Sequence, residues 1–226
     1  MKAEAAIIIP AYNESDWIET TLRALRAQAN VSFHTLIVVD DGSEDHTAHV
    51  AGRWADAVIR LPRNGGKGAA LWQGVQAVPH ERLLFLDADL GETAVHAVQL
   101  LDMLDEGACE MAVACPPPAL RGGFGLAKHC ARRAIHRATG KMLHAPLSGQ
   151  RALTRRAACT VRSWDCGFGI EAAMALDILE AGLTIREVCL PIRHREHGKS
   201  IAGFLHRGRQ YAAIRRTLAQ RMGERL

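Results

Sequence analysis

Residues 82–89 read RLLFLDAD, an apolar run that ends in two aspartates, Asp87 and Asp89, on either side of Ala88. The run predicts a buried strand over residues 82–86. Two carboxylates that flank one small residue at the end of such a strand can bind a hard divalent cation such as Mg²⁺ or Mn²⁺. A turn with a helix-capping aspartate is the alternative that these residues alone leave open.

Further apolar runs extend this pattern in both directions along the chain. They predict strands over residues 5–9, 33–39, 57–61 and 109–114, separated by helices over 14–28, from residue 43, over 67–77 and over 93–104. Alternating strands and helices predict an α/β fold with a mostly parallel sheet flanked by helices. Because ligands of such sheets bind beyond the carboxyl ends of the strands, we expect the polar motifs found there to share one cleft.

The motif Asp40-Asp41-Gly42-Ser43 follows the second predicted strand. A carboxylate here, Asp41 in our interpretation, can accept hydrogen bonds from a nucleobase N–H or a ribose hydroxyl. Ser43 is expected to cap the next helix, with Glu44 and Asp45 in its first turn, where the helix dipole favours acidic groups.

A glycine-rich turn, Asn64-Gly65-Gly66-Lys67-Gly68, opens the third predicted helix. Backbone N–H groups and the helix dipole favour an anion there, and Lys67 adds a positive charge. The spacing of an ATP-binding P-loop is absent, and no GxGxxG follows the first strand, which disfavours a nicotinamide cofactor. A capped helix without a ligand is the alternative.

Two polar segments of the second half are candidates for chemistry. Glu171 opens a helix predicted over residues 170–180, where it is either a general base for an acceptor hydroxyl or a first-turn residue that serves the helix dipole. In the stretch 194–200, Arg195 and Lys199 can hold phosphate oxygens, and His194 can be a metal ligand or a hydrogen-bond donor. An exposed basic loop is the alternative for that stretch.

The remaining elements of the second half are basic helices and short strands. Helices are predicted over residues 126–138 and 201–222, and strands over 148–154 and 183–190. The last helix interleaves apolar side chains with arginines. It can lie on an anionic membrane surface, or it can pack on its own domain or on a partner in a homodimer.

The composition bounds the class of protein. A net charge of +4 and an aromatic share of 5% argue against nucleic-acid binding, which uses stronger positive charge and stacking side chains. The six cysteines form no CxxC pair, and no apolar stretch reaches the roughly 18 residues that a membrane span requires. We therefore expect a cytoplasmic protein with reduced thiols.

Four segments together resemble the family 2 glycosyltransferases, which have the Rossmann-like GT-A fold. These segments are residues 7–14 (IIIPAYNE), 38–43 (VVDDGS), 66–70 (GKGAA) and 85–89 (FLDAD), in the order and spacing of the family. In the second half, residues 148–152 (SGQRA) and 195–200 (REHGKS) are similar to segments of the dolichyl-phosphate mannose and glucose synthases.

We expect a single GT-A domain over residues 1–226 with three parts. They are a nucleotide-binding half (1–114), an acceptor half (115–200) and a basic C-terminal helix (201–226). A basic C-terminal helix that can lie on an anionic membrane adds peripheral contact at the inner membrane face to the expected location.

The resemblance also implies roles for the matching residues. The nucleoside pocket would be lined by Pro10, Tyr12 and Glu14, with Asp41 on the base, and Lys67 would lie near the base or diphosphate. The donor and the metal would be held by Asp87, Ala88 and Asp89. Two further residues, Arg195 and Ser200, would face phosphates. The chain departs from the family pattern at Gln150, which replaces the usual Phe. It also departs at Gly91-Glu92-Thr93, which leaves the third metal ligand open between His194 and Glu92.

We therefore predict a hexosyltransferase that uses a UDP- or GDP-sugar and Mg²⁺ or Mn²⁺, with Asp89, Glu171 and Arg195 as catalytic residues. Direct displacement at the anomeric carbon would release a diphosphate stabilised by the metal and by Lys67 or Arg195. A polyprenyl-phosphate acceptor is already anionic and needs no base, whereas a hydroxyl acceptor would use Glu171. Whether configuration is inverted or retained stays open.

Two other functions remain as alternatives. A sugar-phosphate nucleotidyltransferase usually carries a glycine-rich loop after the first strand, where this chain has Pro10-Ala11-Tyr12-Asn13. A non-catalytic nucleotide-sugar-binding protein would not require Asp87, Asp89 and Lys67, all of which are present.

Overall fold

A seven-stranded sheet forms the centre of the computed structural model, which describes residues 4–27, 35–115, 125–193 and 201–223. Its strands are β1 (Ala5–Ala11), β2 (Thr35–Asp40), β3 (Ala57–Arg60), β4 (Arg82–Phe85), β5 (Met111–Cys115), β6 (Arg151–Thr154) and β7 (Ile185–Cys189). They lie in the order β3-β2-β1-β4-β6-β5-β7. All strand pairs are parallel except the two that β6 makes with β4 and β5. The predicted mostly parallel α/β sheet is confirmed.

Helices cover both faces of this sheet. They are α1 (Ile18–Arg26), α2 (Thr47–Ala51), α3 (Lys67–Ala77), α4 (Leu100–Asp105), α5 (Gly125–Thr139), α6 (Arg155–Cys159), α7 (Ile170–Glu180) and α8 (Ile201–Arg221), with 3₁₀ segments at Gly91–Gln99 and Gly167–Gly169. None of the helices that the structure describes combines the length and the apolar character needed to cross a membrane.

The alternation of side chains along β1 and β4 divides the core into two layers. Ile8 and Phe85 point into the layer beneath α3, α5, α7 and α8, whereas Ile7 and Leu84 point into the layer beneath α1 and α4. Both layers are closed to solvent, since each of these four side chains is at most 1% exposed. A sheet covered in this way places its polar side chains at the strand ends.

Three local predictions differ from the structure. The first helix begins at Ile18 instead of residue 14, because residues 14–18 form a hydrogen-bonded turn. Ser43 does not cap α2, which begins only at Thr47; its hydroxyl instead accepts a hydrogen bond from the backbone N–H of Asn13. The helix predicted over residues 93–104 is a 3₁₀ segment followed by α4.

The C-terminal helix packs on its own domain along the second half of its length. Ile214 and Leu218 are 3% and 2% exposed and belong to the core layer that also contains α5 and α7. This arrangement matches the alternative in which the helix covers its own domain. Tyr211, one turn before Ile214, remains 36% exposed.

Candidate active site

Asp87, the first aspartate after β4, lies at the centre of a polar cluster. Its Oδ1 is 2.6 Å from Lys67 Nζ at the start of α3, and its Oδ2 accepts a hydrogen bond of 2.7 Å from Gln150 Nε2. The antiparallel pairing of β6 with β4 brings Gln150 to this position, just before β6 begins. Both oxygens of the carboxylate are therefore held, and the side chain stays 21% exposed.

Lys67 joins the strand end to α7. Its ammonium lies 2.7 Å from Glu171 Oε1 as well as 2.6 Å from Asp87, and the Glu171 side chain is only 13% exposed. Burial lowers the pKa of Lys67, but the two carboxylates outweigh it and hold that pKa well above its ordinary value. The structure thus brings together three predicted site residues from three elements, around one permanently charged ammonium.

Arg151 lies directly behind this cluster and is 1% exposed. Its guanidinium donates to the backbone carbonyls of Ser148, Pro146 and Glu171. Burial lowers the pKa of Arg151 to about 10, against the opposing effect of nearby carboxylates led by Glu171, so the group is charged at neutral pH. A buried guanidinium that satisfies three carbonyls fixes the loop before β6 and the first turn of α7.

The second carboxylate of the motif, Asp89, lies on a turn that Thr21 of α1 anchors. The buried Thr21 hydroxyl donates to the carbonyl of Ala88 at 2.7 Å and accepts from the N–H of Gly91 at 2.8 Å. Asp89 remains partly exposed beyond this turn, while Ala88 is buried. Thr21 was not among the predicted site residues, because its spacing in α1 is that of an ordinary core position.

Asp41 is engaged in a way that the sequence did not predict. The side chain is buried, and its two oxygens accept from the N–H groups of Gly65 and Gly66 at 2.8 Å each. The sequence predicts that the backbone N–H groups of this turn favour an anion, and the N–H groups of Gly65 and Gly66 are bound by the Asp41 carboxylate. These two hydrogen bonds to Asp41 fix the turn that places Lys67 beside Asp87.

The loops after β1 and β2 are held together by hydrogen bonds between them. Asn13 has the left-handed φ of 54° and its side chain accepts from the N–H of Glu44, while the N–H of Glu14 donates to Thr47 Oγ1. This conformation is uncommon for residues other than glycine, and Asn is among those that adopt it most readily. The loop leaves Tyr12 42% exposed beside the cleft, with Pro10 and Glu14 half-buried.

The predicted metal site has two of its three ligands in the described part of the chain. Asp87 and Asp89 are there, but His194, like Arg195 and Ser200, lies outside the described residues. Among the residues that are described, no three His, Cys, Asp or Glu side chains are grouped so that they could share a metal ion. The exposed Glu92 therefore does not complete a site with the two aspartates.

Comparison with known proteins places this geometry in context. The model of "Glycosyl transferase family 2" matches residues 6–147. Glycosyltransferase AglJ of Haloferax volcanii is 30% identical over 182 residues, which is 78% of this chain and 59% of that protein. The dolichyl-phosphate beta-glucosyltransferase of Mus musculus is 35% identical over 130 residues, which is 50% of this chain and 40% of that protein. The chain thus spans only about two fifths to three fifths of the length of these relatives.

A solved structure with bound ligands has a similar fold. Glucosyl-3-phosphoglycerate synthase from Mycobacterium tuberculosis, crystallised with Mn²⁺, UDP-glucose and phosphoglyceric acid, superposes with a TM-score of 0.81 and 25% identity. The match covers 99% of this chain and 81% of that one.

Proposed function

Because this chain belongs to glycosyl transferase family 2, we propose that it transfers a hexose from a nucleoside-diphosphate sugar to a polyprenyl phosphate. The observation that carries this proposal is the cluster at the end of β4, where Lys67 joins Asp87 to Glu171 within 2.7 Å on each side. A fixed ammonium beside two carboxylates suits a reaction in which diphosphate charge develops on the leaving group.

The chemistry of the motif fits a divalent cation. Asp87 and Asp89 are oxygen donors on one turn, and both stay partly exposed, as ligands of Mg²⁺ or Mn²⁺ must be. Since Lys67 and Gln150 already hold Asp87, we assign the principal ligand role to Asp89, with His194 as the predicted third ligand. When bound, the cation would neutralise charge on the diphosphate.

We propose a UDP-sugar as the donor and retain GDP-sugars as the second choice. The M. tuberculosis synthase was crystallised with UDP-glucose, which supports uridine. Pro10, Tyr12 and Glu14 form one wall of the proposed nucleoside pocket, and Asp41 contributes by holding the turn of Gly65 and Gly66 in addition to its proposed contact with the base. Residues 1–114 form the nucleotide-binding half in this proposal.

The proposed acceptor follows from the relatives. Dolichyl-phosphate beta-glucosyltransferase carries a polyprenyl phosphate in its name, and an acceptor phosphate is already anionic at neutral pH. It can attack the anomeric carbon without surrendering a proton, so Glu171 need only position Lys67. We place the acceptor in residues 115–200, with Arg195 and Ser200 toward its phosphate, and the chain at the cytoplasmic membrane face.

The experiment that tests this function compares wild-type protein with Asp89→Ala and, as a control, with Glu106→Ala at the exposed C-cap that follows α4. Each is incubated with Mn²⁺, a polyprenyl phosphate and a panel of UDP- and GDP-sugars. We expect sugar-lipid product from wild type and Glu106→Ala, and a loss of about 10²-fold or more in Asp89→Ala. Unchanged transfer by Asp89→Ala would refute the assignment.

The same assay separates the alternatives. Release of pyrophosphate from a sugar phosphate and a nucleoside triphosphate would identify a nucleotidyltransferase. Metal-dependent binding of a nucleotide sugar, with neither transfer nor hydrolysis, would identify a binding protein. Thermal shifts with each nucleotide sugar report the preferred base directly, because a ligand that binds only the folded state raises its melting temperature.

A further inference from the structure

Two stretches of the second half contain several basic residues and no acidic ones. Residues 111–164 contain ten Lys and Arg and no Asp or Glu, although the whole chain has a net charge of only +4. Residues 197–223 contain six Lys and Arg and again no acidic residue. The helices α5 and α8 lie within these stretches, so neither helix has an acidic side chain of its own to neutralise its arginines.

A groove with a volume of about 610 Å³ runs between α5 and α8. Its floor is apolar and includes Leu218 and Ala219, which are 2% and 9% exposed. The exposed side chains of Arg133 from α5 and Arg215 from α8 line it. The groove thus combines an apolar base with two cationic groups contributed by two different helices.

Large apolar side chains also project at this groove. Leu126 at the start of α5 is 80% exposed and Tyr211 on α8 is 36% exposed, and both line the groove. An exposed leucine beside arginines contributes no binding free energy toward a soluble anion. Its transfer from water into an apolar phase, in contrast, is favourable. A tyrosine suits the boundary between such a phase and water, because its ring is apolar and its hydroxyl is polar.

We propose that the groove between α5 and α8 docks the chain on the anionic surface of a phospholipid bilayer. Arg133 and Arg215 bind lipid phosphates, and Leu126 and Tyr211 insert among the lipid chains beside the apolar floor. Each basic side chain near such a surface raises the affinity by about fivefold, and an inserted leucine adds to this. The proposal concerns attachment alone and does not depend on the transfer reaction.

Two double variants with the same change in charge test this inference. Arg133→Glu/Arg215→Glu alters the groove, whereas Arg132→Glu/Arg216→Glu alters the neighbouring residues on the same helices, neither of which lines it. The full chain is sedimented with vesicles of phosphatidylcholine alone and with vesicles that also contain phosphatidylglycerol. Wild type should sediment only with the mixed vesicles, and the groove variant should bind them about tenfold or more weakly than the control variant.

Leu126→Ser separates insertion from charge, because it leaves every arginine in place and removes only an exposed side chain. We expect it to weaken binding to mixed vesicles by a few-fold to about tenfold. Equal losses in the two double variants would overturn the groove assignment, as would wild type that does not bind the mixed vesicles. Binding of a single-stranded RNA that depends on Arg133 and Arg215, without vesicle binding, would replace the bilayer by a nucleic acid.

Binding of UDP-sugar, measured without vesicles, keeps this test separate from the proposed function. A groove variant that binds donor normally but loses the vesicles supports bilayer docking whatever the chain transfers. Conversely, vesicle binding through the groove by a chain that transfers no sugar leaves the docking inference intact. If the charge reversal prevents folding, Arg133→Gln/Arg215→Gln and Leu126→Ser provide the same comparison.

Discussion

Gln150 Nε2 donates a hydrogen bond of 2.7 Å to Asp87 Oδ2, on the side of the carboxylate opposite Lys67. Gln150 is 2% exposed, so this contact is shielded from water. The resemblance to the dolichyl-phosphate synthases implies a Phe at this position, which could not donate such a bond. This chain therefore fixes Asp87 from both sides with polar groups.

Replacing Gln150 is expected to impair transfer in a graded way. Gln150→Leu removes one hydrogen bond to a charged group and should lower kcat/KM for the donor about tenfold to 10²-fold. Gln150→Glu places a second carboxylate against Asp87 and should cost more. The exposed Gln73→Leu on α3 is the control. Equal activity of wild type and both Gln150 variants would show that Asp87 needs no second partner.

Gly149 leaves the space that the Lys67–Asp87 pair occupies. A Cβ at this position would lie 2.4 Å and 2.7 Å from the Asp87 oxygens and 2.7 Å from Lys67 Nζ. Gly149→Ala should therefore displace the pair and lower kcat by about 10²-fold, since a displacement of about 1 Å at a reacting centre has effects of that size. Steady-state kinetics measure this.

Gly52→Ala is the matched control for that substitution. A Cβ at Gly52 would meet only ordinary contacts of 3.4 Å and 3.7 Å with carbonyl oxygens of α2. Its kcat should equal that of wild type, and the urea midpoints of both variants should show that each is folded. Full activity in Gly149→Ala would mean that the pair can move without consequence.

The alternation of apolar runs predicted the sheet because it depends on local pattern alone. Each of β1, β2 and β4 is buried, and the polar motif that follows it lies at the same edge of the sheet, which is where Lys67 meets Asp87. The ion pair of Lys67 with Glu171 was not predicted, although both residues were candidates. Its partners are 104 residues apart, and no local pattern encodes such a distance.

The hydrogen-bond partners of the buried polar groups could not be predicted from the sequence either. The sequence pattern did not indicate that the Asp41 oxygens bind Gly65 and Gly66, a contact that exists only once β2 and the turn before α3 are packed together. Arg151 looks like one basic residue among many, and only the antiparallel insertion of β6 makes it a buried anchor. The available indication of this role was that Arg151 directly follows Gln150, where the chain departs from the family pattern.

Asp45 links the two nucleoside-side loops and should make stability sensitive to acid. Burial raises its pKa, but hydrogen bonds from Thr47 and Ser15 outweigh this and lower the pKa to about 2 from 3.8. A lowered folded-state pKa contributes stability that is complete above the unfolded value and is lost as pH falls toward the folded one. The free energy of unfolding should thus decline by about 1–2 kcal/mol between about pH 5 and pH 2 on account of this group, after allowance for partial exposure.

Urea denaturation of wild type and Asp45→Asn across that range measures this contribution. The variant should be less stable than wild type at neutral pH, and the difference between the two should shrink as the pH falls toward 2. Glu44→Gln, at the neighbouring exposed position, should run parallel to wild type. If the free energies of unfolding of wild type and Asp45→Asn differ by the same amount at all pH values, the substitution acts through the shape of the side chain and not through its charge.

Glu171 decides between the two kinds of acceptor. Its side chain is held 2.7 Å from Lys67, and Glu171→Gln keeps the shape and a carbonyl oxygen that can accept from that ammonium while removing the basic group. If the acceptor is a phosphate, no proton needs to be taken up, and kcat with a polyprenyl phosphate should fall by less than about tenfold. Loss of a general base would lower kcat by about 10²–10⁴-fold and abolish the acidic limb of the pH–rate profile.

Glu180→Gln, at the opposite end of α7, controls for the charge change on that helix, and its rate should match wild type. A large loss in Glu171→Gln alone, together with that change in the pH profile, would assign a hydroxyl acceptor to this site.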